Sequence, residues 1–143
     1  MGLVVSERQL NLFRSKRQRG RIPPSPTEFA MQCFLVDVVK RWIVPGWKFT
    51  HVPLGEVRDP VTAARLKRLG TEPGWPDLQF AGPGRRMFFL ELKRRGGRLS
   101  EAQAAMRDHL EGCGFEVLVT DSVDVAIEVL KDAGILQKRF GVQ

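Results

Sequence analysis

The sequence predicts an α/β fold, a small central mixed sheet flanked by helices, with elements in the order αβαββαβα. Three observations carry this reading. Apolar residues recur at helical spacing after a proline-rich segment; two apolar runs flank a glycine-rich turn near residue 84; and two further capped helical stretches alternate with short β-branched segments. A chain of 143 residues is the length of one domain, and 43% hydrophobic with 27% charged residues excludes a fibre or a wholly disordered chain.

Residues 1–24 are rich in Arg and Gln, and Pro23-Pro24-Ser25-Pro26 prevents a helix from running out of them, so a separate, basic, flexible arm is expected ahead of a domain at 25–143. Ser25, Pro26 and Glu28 supply an N-cap, a first-turn proline and the acid of a capping box, which starts a helix ending near Trp42. Its apolar face is read as Phe29, Cys33 and Val36 with Leu35, Val39 and Trp42 beside them. Trp47 to Leu54 has the composition of a strand, stopped by Gly55. Asp59 caps a second helix from Pro60 to Leu69, and Gly70 ends it. Leu78 to Phe80 and Met87 to Lys93, joined through Ala81-Gly82-Pro83-Gly84-Arg85, make a hairpin. Ser100 opens a third helix to about Glu111, Phe115 to Thr120 is a strand, and Asp121 caps a last helix to about Lys131.

The charge is unevenly spread. The net +7 comes from 23 basic and 16 acidic side chains, and residues 40–107 alone hold 14 basic against 6 acidic ones, whereas 108–143 are acidic overall. A polyanion is expected to meet the basic face. Cys33 and Cys113 lack a neighbouring cysteine and read as buried thiols of a reducing compartment; with only His51 and His109 and no zinc-ligand spacing, any metal should be a hard, oxygen-bound ion. No apolar run reaches the length of a membrane span and no secretion signal opens the chain, so an intracellular, cytoplasmic protein without membrane partners is expected. His51, Trp42 and Trp47 read as packing residues.

A hairpin symmetric about Gly84 pairs residues whose numbers sum to twice 84, which sets Asp77 opposite Glu91. Lys93, two residues on, projects from the same face of its strand. Two acids and an ammonium then share one patch, and two carboxylates so close repel unless a cation lies between them. Oxygen ligands of this kind suit Mg²⁺, with Mn²⁺ as substitute, and the backbone carbonyl of Leu92 can complete the set. A surface ion pair accounts for the Glu-x-Lys triplet alone. The apolar Met87-Phe88-Phe89-Leu90 ahead of it argues otherwise, because charges at the end of a buried strand need a reason.

Gly74-Trp75-Pro76-Asp77-Leu78, Phe89-Leu90-Glu91-Leu92-Lys93 and Leu99-Ser100-Glu101-Ala102-Gln103, in that order, resemble the PD-(D/E)XK nucleases and specifically their VRR-Nuc branch, over about Glu28 to Leu130. Stand-alone members of that branch occur in phages and bacteria, and others form the catalytic domain of the Fanconi-associated nuclease. The resemblance implies a restriction-endonuclease-like fold and a Mg²⁺-dependent endodeoxyribonuclease, structure-directed on branched DNA such as four-way (Holliday) junctions, acting as a homodimer. It implies that Asp77 and Glu91 hold the metal with the Leu92 carbonyl, that Lys93 orients or deprotonates the attacking water, that Glu28 reaches the metal directly or through water, and that Gln103 belongs to the site. Glu28 and Gln103 each also stand where they can close a capping box, after Ser25 and Ser100. Trp75 is bulkier than the residue usual before Pro-Asp in the family.

Arg65, Lys67 and Arg68 precede the hairpin and Arg94, Arg95 and Arg98 follow it, six candidates for backbone-phosphate contacts. The self-association surface is expected on the helix at 26–42 or on Ile135-Leu136. Two other readings remain open: a non-catalytic DNA-binding module on the same scaffold, and a nuclease for flap or single-stranded DNA.

Overall fold

The computed structural model describes residues 25–53 and 59–139; the basic arm at 1–24 and the expected strand end at Leu54 and Gly55 lie outside them. The elements are α1 (Glu28–Trp42), β1 (Lys48–His51), α2 (Pro60–Arg68), β2 (Leu78–Gly82), β3 (Arg86–Leu92), α3 (Glu101–Gly112), β4 (Glu116–Thr120) and α4 (Val123–Asp132), in the expected order.

The sheet is mixed. Strands lie in the order β1-β2-β3-β4, the first two pairs antiparallel and β3 with β4 parallel. Leu78 faces Leu90 and Phe80 faces Phe88 across the β2–β3 hairpin, which is the register that symmetry about Gly84 requires. The turn itself is tighter than expected. Only Pro83 to Arg85 lie outside the strands, and Gly84 and Arg85 both take left-handed backbone angles, φ 72° and 62°.

Alternation along β3 sends Phe88, Leu90 and Leu92 to one face, where they meet Met31, Leu35 and Val39 of α1 and Ala126 and Leu130 of α4. Phe89 and Glu91 point to the other face, toward α3. Because helices cover both faces, all five residues from Phe88 to Leu92 are buried, Glu91 among them at 3% exposure. Phe89 is packed edge-on by Phe115 and tilted against Trp75, with ring centroids 5.7 Å and 6.1 Å away, which gives the bulky Trp75 a place beneath the site.

Several local expectations are corrected. The N-cap of α1 is Thr27, whose side chain accepts from Ala30 N, not Ser25, so Glu28 is the first helical residue and closes no capping box. Ser122 rather than Asp121 caps α4. The inward stripe of α1 is Met31, Leu35 and Val39, while Phe29, at 79% exposure, and Cys33 face outward. Phe29 and Cys33 each stand two residues before a member of that stripe, which puts them on the far side of the helix. Cys33 and Cys113 are both exposed free thiols. Ile135 and Leu136 are core residues: the Ile135 carbonyl accepts from Val44 N and Gln137 N donates to the Trp42 carbonyl, so the segment after α4 is stitched to the end of α1 and is not a free surface. No described helix is long and apolar enough to cross a membrane.

Gly74 approaches α3 so closely that a Cβ there would lie 2.3 Å from the Ala102 carbonyl oxygen, and its φ is +96°. Gly70 has a similar φ of +93° but open space around it. Gly70→Ala should therefore lose only the backbone cost, roughly 1 kcal/mol, while Gly74→Ala should lose several kcal/mol by adding a backbone clash to it. Urea unfolding of the two variants measures the difference; equal losses would show that α3 is free to move away from Gly74.

Candidate active site

The residues brought together sit where the β2–β3 ladder runs out. One position beyond the Leu78–Leu90 pair, Asp77 and Glu91 continue it through their side chains: Asp77 N donates to Glu91 Oε2 (3.0 Å) and Leu92 N donates to Asp77 Oδ2 (3.1 Å). Each carboxylate thus accepts from the main chain at or next to the other acid. The exchange follows from the register, because directly opposed residues bring their side chains within reach of the facing strand.

Lys93 and Gln103 both converge on Glu91 Oε1, Nζ at 3.0 Å and Nε2 at 2.8 Å. The Lys93 side chain is only 13% exposed. Gln103 performs both roles that its sequence position allows. Its Oε1 accepts from Ser100 N at 2.9 Å, closing the capping box of α3, while its Nε2 donates to Glu91. The cap aims the amide into the site.

Glu28 reaches the same end of the sheet by another route. Freed from capping, its Oε1 accepts from Arg94 N at 3.1 Å, one residue past Lys93, so the first turn of α1 holds down the strand exit. Among the described residues no three His, Cys, Asp or Glu side chains come together as a ligand set, and the acidic pair is Asp77 with Glu91.

Burial dominates the electrostatics of the pair. Glu91 is pushed from its ordinary 4.5 up to about 7, first by desolvation and then by the neighbouring Asp77 charge, although the Lys93 ammonium and the Asp77 N–H oppose the shift. Asp77 is also raised by burial, with the Leu92 N–H the largest opposing influence. Near neutrality the pair therefore holds a proton or needs a cation. The donor chemistry fits a hard divalent ion: two carboxylates that together bind positive charge, an adjoining main-chain carbonyl at Leu92, and no sulfur or imidazole between them.

The basic candidates fall into two groups. Arg94, Arg95 and Arg98 are exposed immediately beyond β3, and Arg65, Lys67 and Arg68 stand on α2, no residue of which is buried. None of the six is in an ion pair among the described residues. The sequence reading missed three residues. Arg107, from α3, lines a small hollow with Glu91, Gln103 and Pro76. His51 at the end of β1 places Nδ1 2.9 Å from the Asp77 carbonyl, and Gln32 of α1 touches the same nitrogen. Arg107 stands four residues after Gln103, one helical turn, which was the available signal; a lone histidine and a glutamine 19 residues before it carry no motif. Trp47 is a packing residue as expected, 6% exposed with the Arg86 guanidinium 5.2 Å above its ring.

A solved structure described as a VRR_NUC domain protein matches this chain with a TM-score of 0.62 at 24% identity, covering 76% of this chain and 88% of that one. The chain has the VRR-Nuc fold. A second solved structure, described as a VRR_NUC domain, matches with a TM-score of 0.52 at 16% identity over 75% of this chain and 97% of that one. No family model and no curated protein matches the sequence. The VRR-Nuc fold agrees with the resemblance drawn from Pro76-Asp77, Glu91-x-Lys93 and Gln103.

The raised acids make stability pH-dependent in a definite direction. Below about pH 4.5 the Glu91 carboxyl is protonated in both folded and unfolded chains; between there and about pH 7 the folded chain holds the extra proton, so metal-free stability declines as pH rises through this window. Asp77→Asn keeps an oxygen for Leu92 N and removes one charge. Its melting temperature should exceed that of the parent at pH 8 by several degrees and match it near pH 4. A variant that is less stable at pH 8 would mean that the two carboxylates do not repel.

Proposed function

We propose that the protein is a metal-dependent endodeoxyribonuclease that hydrolyses phosphodiester bonds. The observation that carries this reading is the reciprocal pair of half-buried Asp77 and buried Glu91, short of positive charge and flanked by Lys93 and Gln103, on a VRR-Nuc fold. Asp77, Glu91 and the Leu92 carbonyl would hold Mg²⁺, or Mn²⁺ in its place, with Glu28 acting through water. When bound, such an ion supplies the charge that makes a water nucleophilic and offsets charge growing on the phosphate.

The chain's own residues supply the rest. Gln103 and Lys93 fix Glu91 Oε1 from two sides, so the carboxylate does not swing when its protonation changes. Lys93 Nζ, next to Glu91, orients the attacking water and adds positive potential toward the phosphate oxygens. Arg94, Arg95, Arg98, Arg65, Lys67 and Arg68 grip the DNA backbone without reading sequence.

The preferred substrate in this reading is branched DNA such as a four-way junction, cut by a homodimer whose two sites face two strands. Its support is the resemblance to stand-alone VRR-Nuc proteins; Phe29 and Phe34, 79% and 58% exposed on separate flanks of α1, are the apolar candidates for self-association. A non-catalytic DNA-binding module is disfavoured, because buried acids placed where phosphate would bind weaken a pure binder.

The deciding experiment incubates the protein with duplex, flap, single-stranded and four-way DNA, with and without Mg²⁺. Cleavage of the four-way substrate only with metal is expected; binding without cleavage of any substrate would establish the binding module. Lys93→Ala should lower the cleavage rate about 100-fold or more while keeping Mn²⁺ and DNA, whereas Asp77→Ala should lose Mn²⁺ from calorimetric titration as well. Normal cutting by Lys93→Ala would remove it from the chemistry. Reversing Arg94 and Arg95 to Glu should weaken binding to all DNA sequences alike and flatten its dependence on salt; a loss confined to particular base sequences would contradict a backbone role.

A further inference from the structure

Asp77 lies one residue before β2, outside the ladder, so its position depends on hydrogen bonds from other segments. Its N–H is held by Glu91 and its Oδ2 by Leu92 N. Its carbonyl accepts twice, from Val52 N at 2.8 Å and from the His51 ring at 2.9 Å. His51 is the last residue of β1, an edge strand, and pairs with Leu78. Its Nδ1 also lies 2.9 Å from the side-chain amide of Gln32 on α1.

These atoms fix where the Nδ1 hydrogen lies, in the neutral ring and in the imidazolium alike. A carbonyl oxygen cannot donate, so the Nδ1 that approaches Asp77 must carry the hydrogen. The Gln32 amide must then turn its oxygen, not its nitrogen, toward the ring, an orientation that the hydrogen-bond network decides. The ring is thereby a fixed donor, seated by α1 and aimed at the backbone of a site acid.

We infer that His51 is a positioning residue for Asp77, with Gln32 setting its ring. Two donors on one carbonyl fix the peptide plane as well as its distance. Without His51 the Asp77 carbonyl keeps one donor, Val52 N, and the peptide plane that follows the acid is held less firmly, which loosens the carboxylate against Glu91 and against the ion that the pair would share. Displacing groups that orient metal ligands typically weakens metal binding ~10- to 100-fold. The role rests on the reading of Asp77 as a metal ligand for its functional consequence, though not for its geometry.

Three substitutions separate positioning from other roles. His51→Asn carries an amide nitrogen close to where Nδ1 sits, His51→Gln carries one nearer Nε2, and His51→Ala carries neither. In His51→Ala and His51→Gln, Mn²⁺ affinity by calorimetry should fall ~10-fold or more. In the same two variants without metal, exchange of the Leu92 amide hydrogen, which is bonded to Asp77 Oδ2, should accelerate measurably by NMR. His51→Asn should restore both, and Gln32→Ala should shift both in the same direction by less.

Restoration by Gln instead of Asn would show that the ring acts through Nε2 and overturn the proposal. So would His51→Ala with wild-type Mn²⁺ affinity and an unchanged Leu92 amide, or with lowered melting temperature alone, the mark of a merely structural residue. If the parent protein binds no Mn²⁺ and cuts no DNA, the nuclease reading fails, and the Leu92 amide still decides whether His51 holds Asp77.

Discussion

The exchange of hydrogen bonds between Asp77 and Glu91 is the constraint around which the site is arranged. Two carboxylates opposed across a hairpin, Glu91 buried and Asp77 half-buried, are an unfavourable pair, and the fold keeps them by giving each one main-chain N–H from the facing segment. Every other group at the site attaches to one of these two acids or to the backbone beside them. Lys93 and Gln103 take Glu91, His51 and Val52 take the Asp77 carbonyl, and Glu28 takes the amide that follows Lys93. Removing the pair would leave four segments with no common point of attachment.

The site also shows why the sheet is mixed. The antiparallel β2–β3 hairpin places Asp77 opposite Glu91, while the parallel partner β4 lets the chain pass through α3 between β3 and β4 and so carry Gln103 across the face of the sheet. An antiparallel β4 joined by a tight turn would have no helix there. The close approach of Gly74 to Ala102 then settles α3 against the segment that leads into Asp77. The two approaches to the site, from before β2 and from after β3, are locked to each other by the absence of one side chain.

What was legible in the sequence is what short-range chemistry and two-fold symmetry determine. The element order and the hairpin register follow from turn residues and apolar runs, and the register alone sets Asp77 against Glu91. Caps were less legible where candidates crowd together: Ser25 and Thr27 are good N-caps two residues apart, Asp121 and Ser122 are adjacent ones, and tertiary packing chose between them. That choice changed more than a boundary. It released Glu28 from a local role to a long-range one. Ile135 and Leu136 looked like a free apolar surface because their cover, the Trp42 to Val44 end of α1, is some 90 residues away in sequence. His51 and Gln32 were illegible for the same reason, since nothing local distinguishes a histidine that supports an acid 26 residues later.

The division between the acids and their supports has a further consequence for how such a site tolerates change. Glu91 is constrained at both oxygens by three donors, so a shorter replacement leaves several of them without a partner and an amide turns its own N–H toward at least one. Asp77 is constrained mainly through its main chain, and an amide side chain can still accept from Leu92 N. Substitution at the two positions is therefore unequal although both are acids of one pair: loss at position 91 disturbs Lys93, Gln103 and the Asp77 peptide together, while loss at position 77 is confined to charge and to one oxygen. The fold thus anchors Glu91 through its side chain and Asp77 chiefly through its main chain.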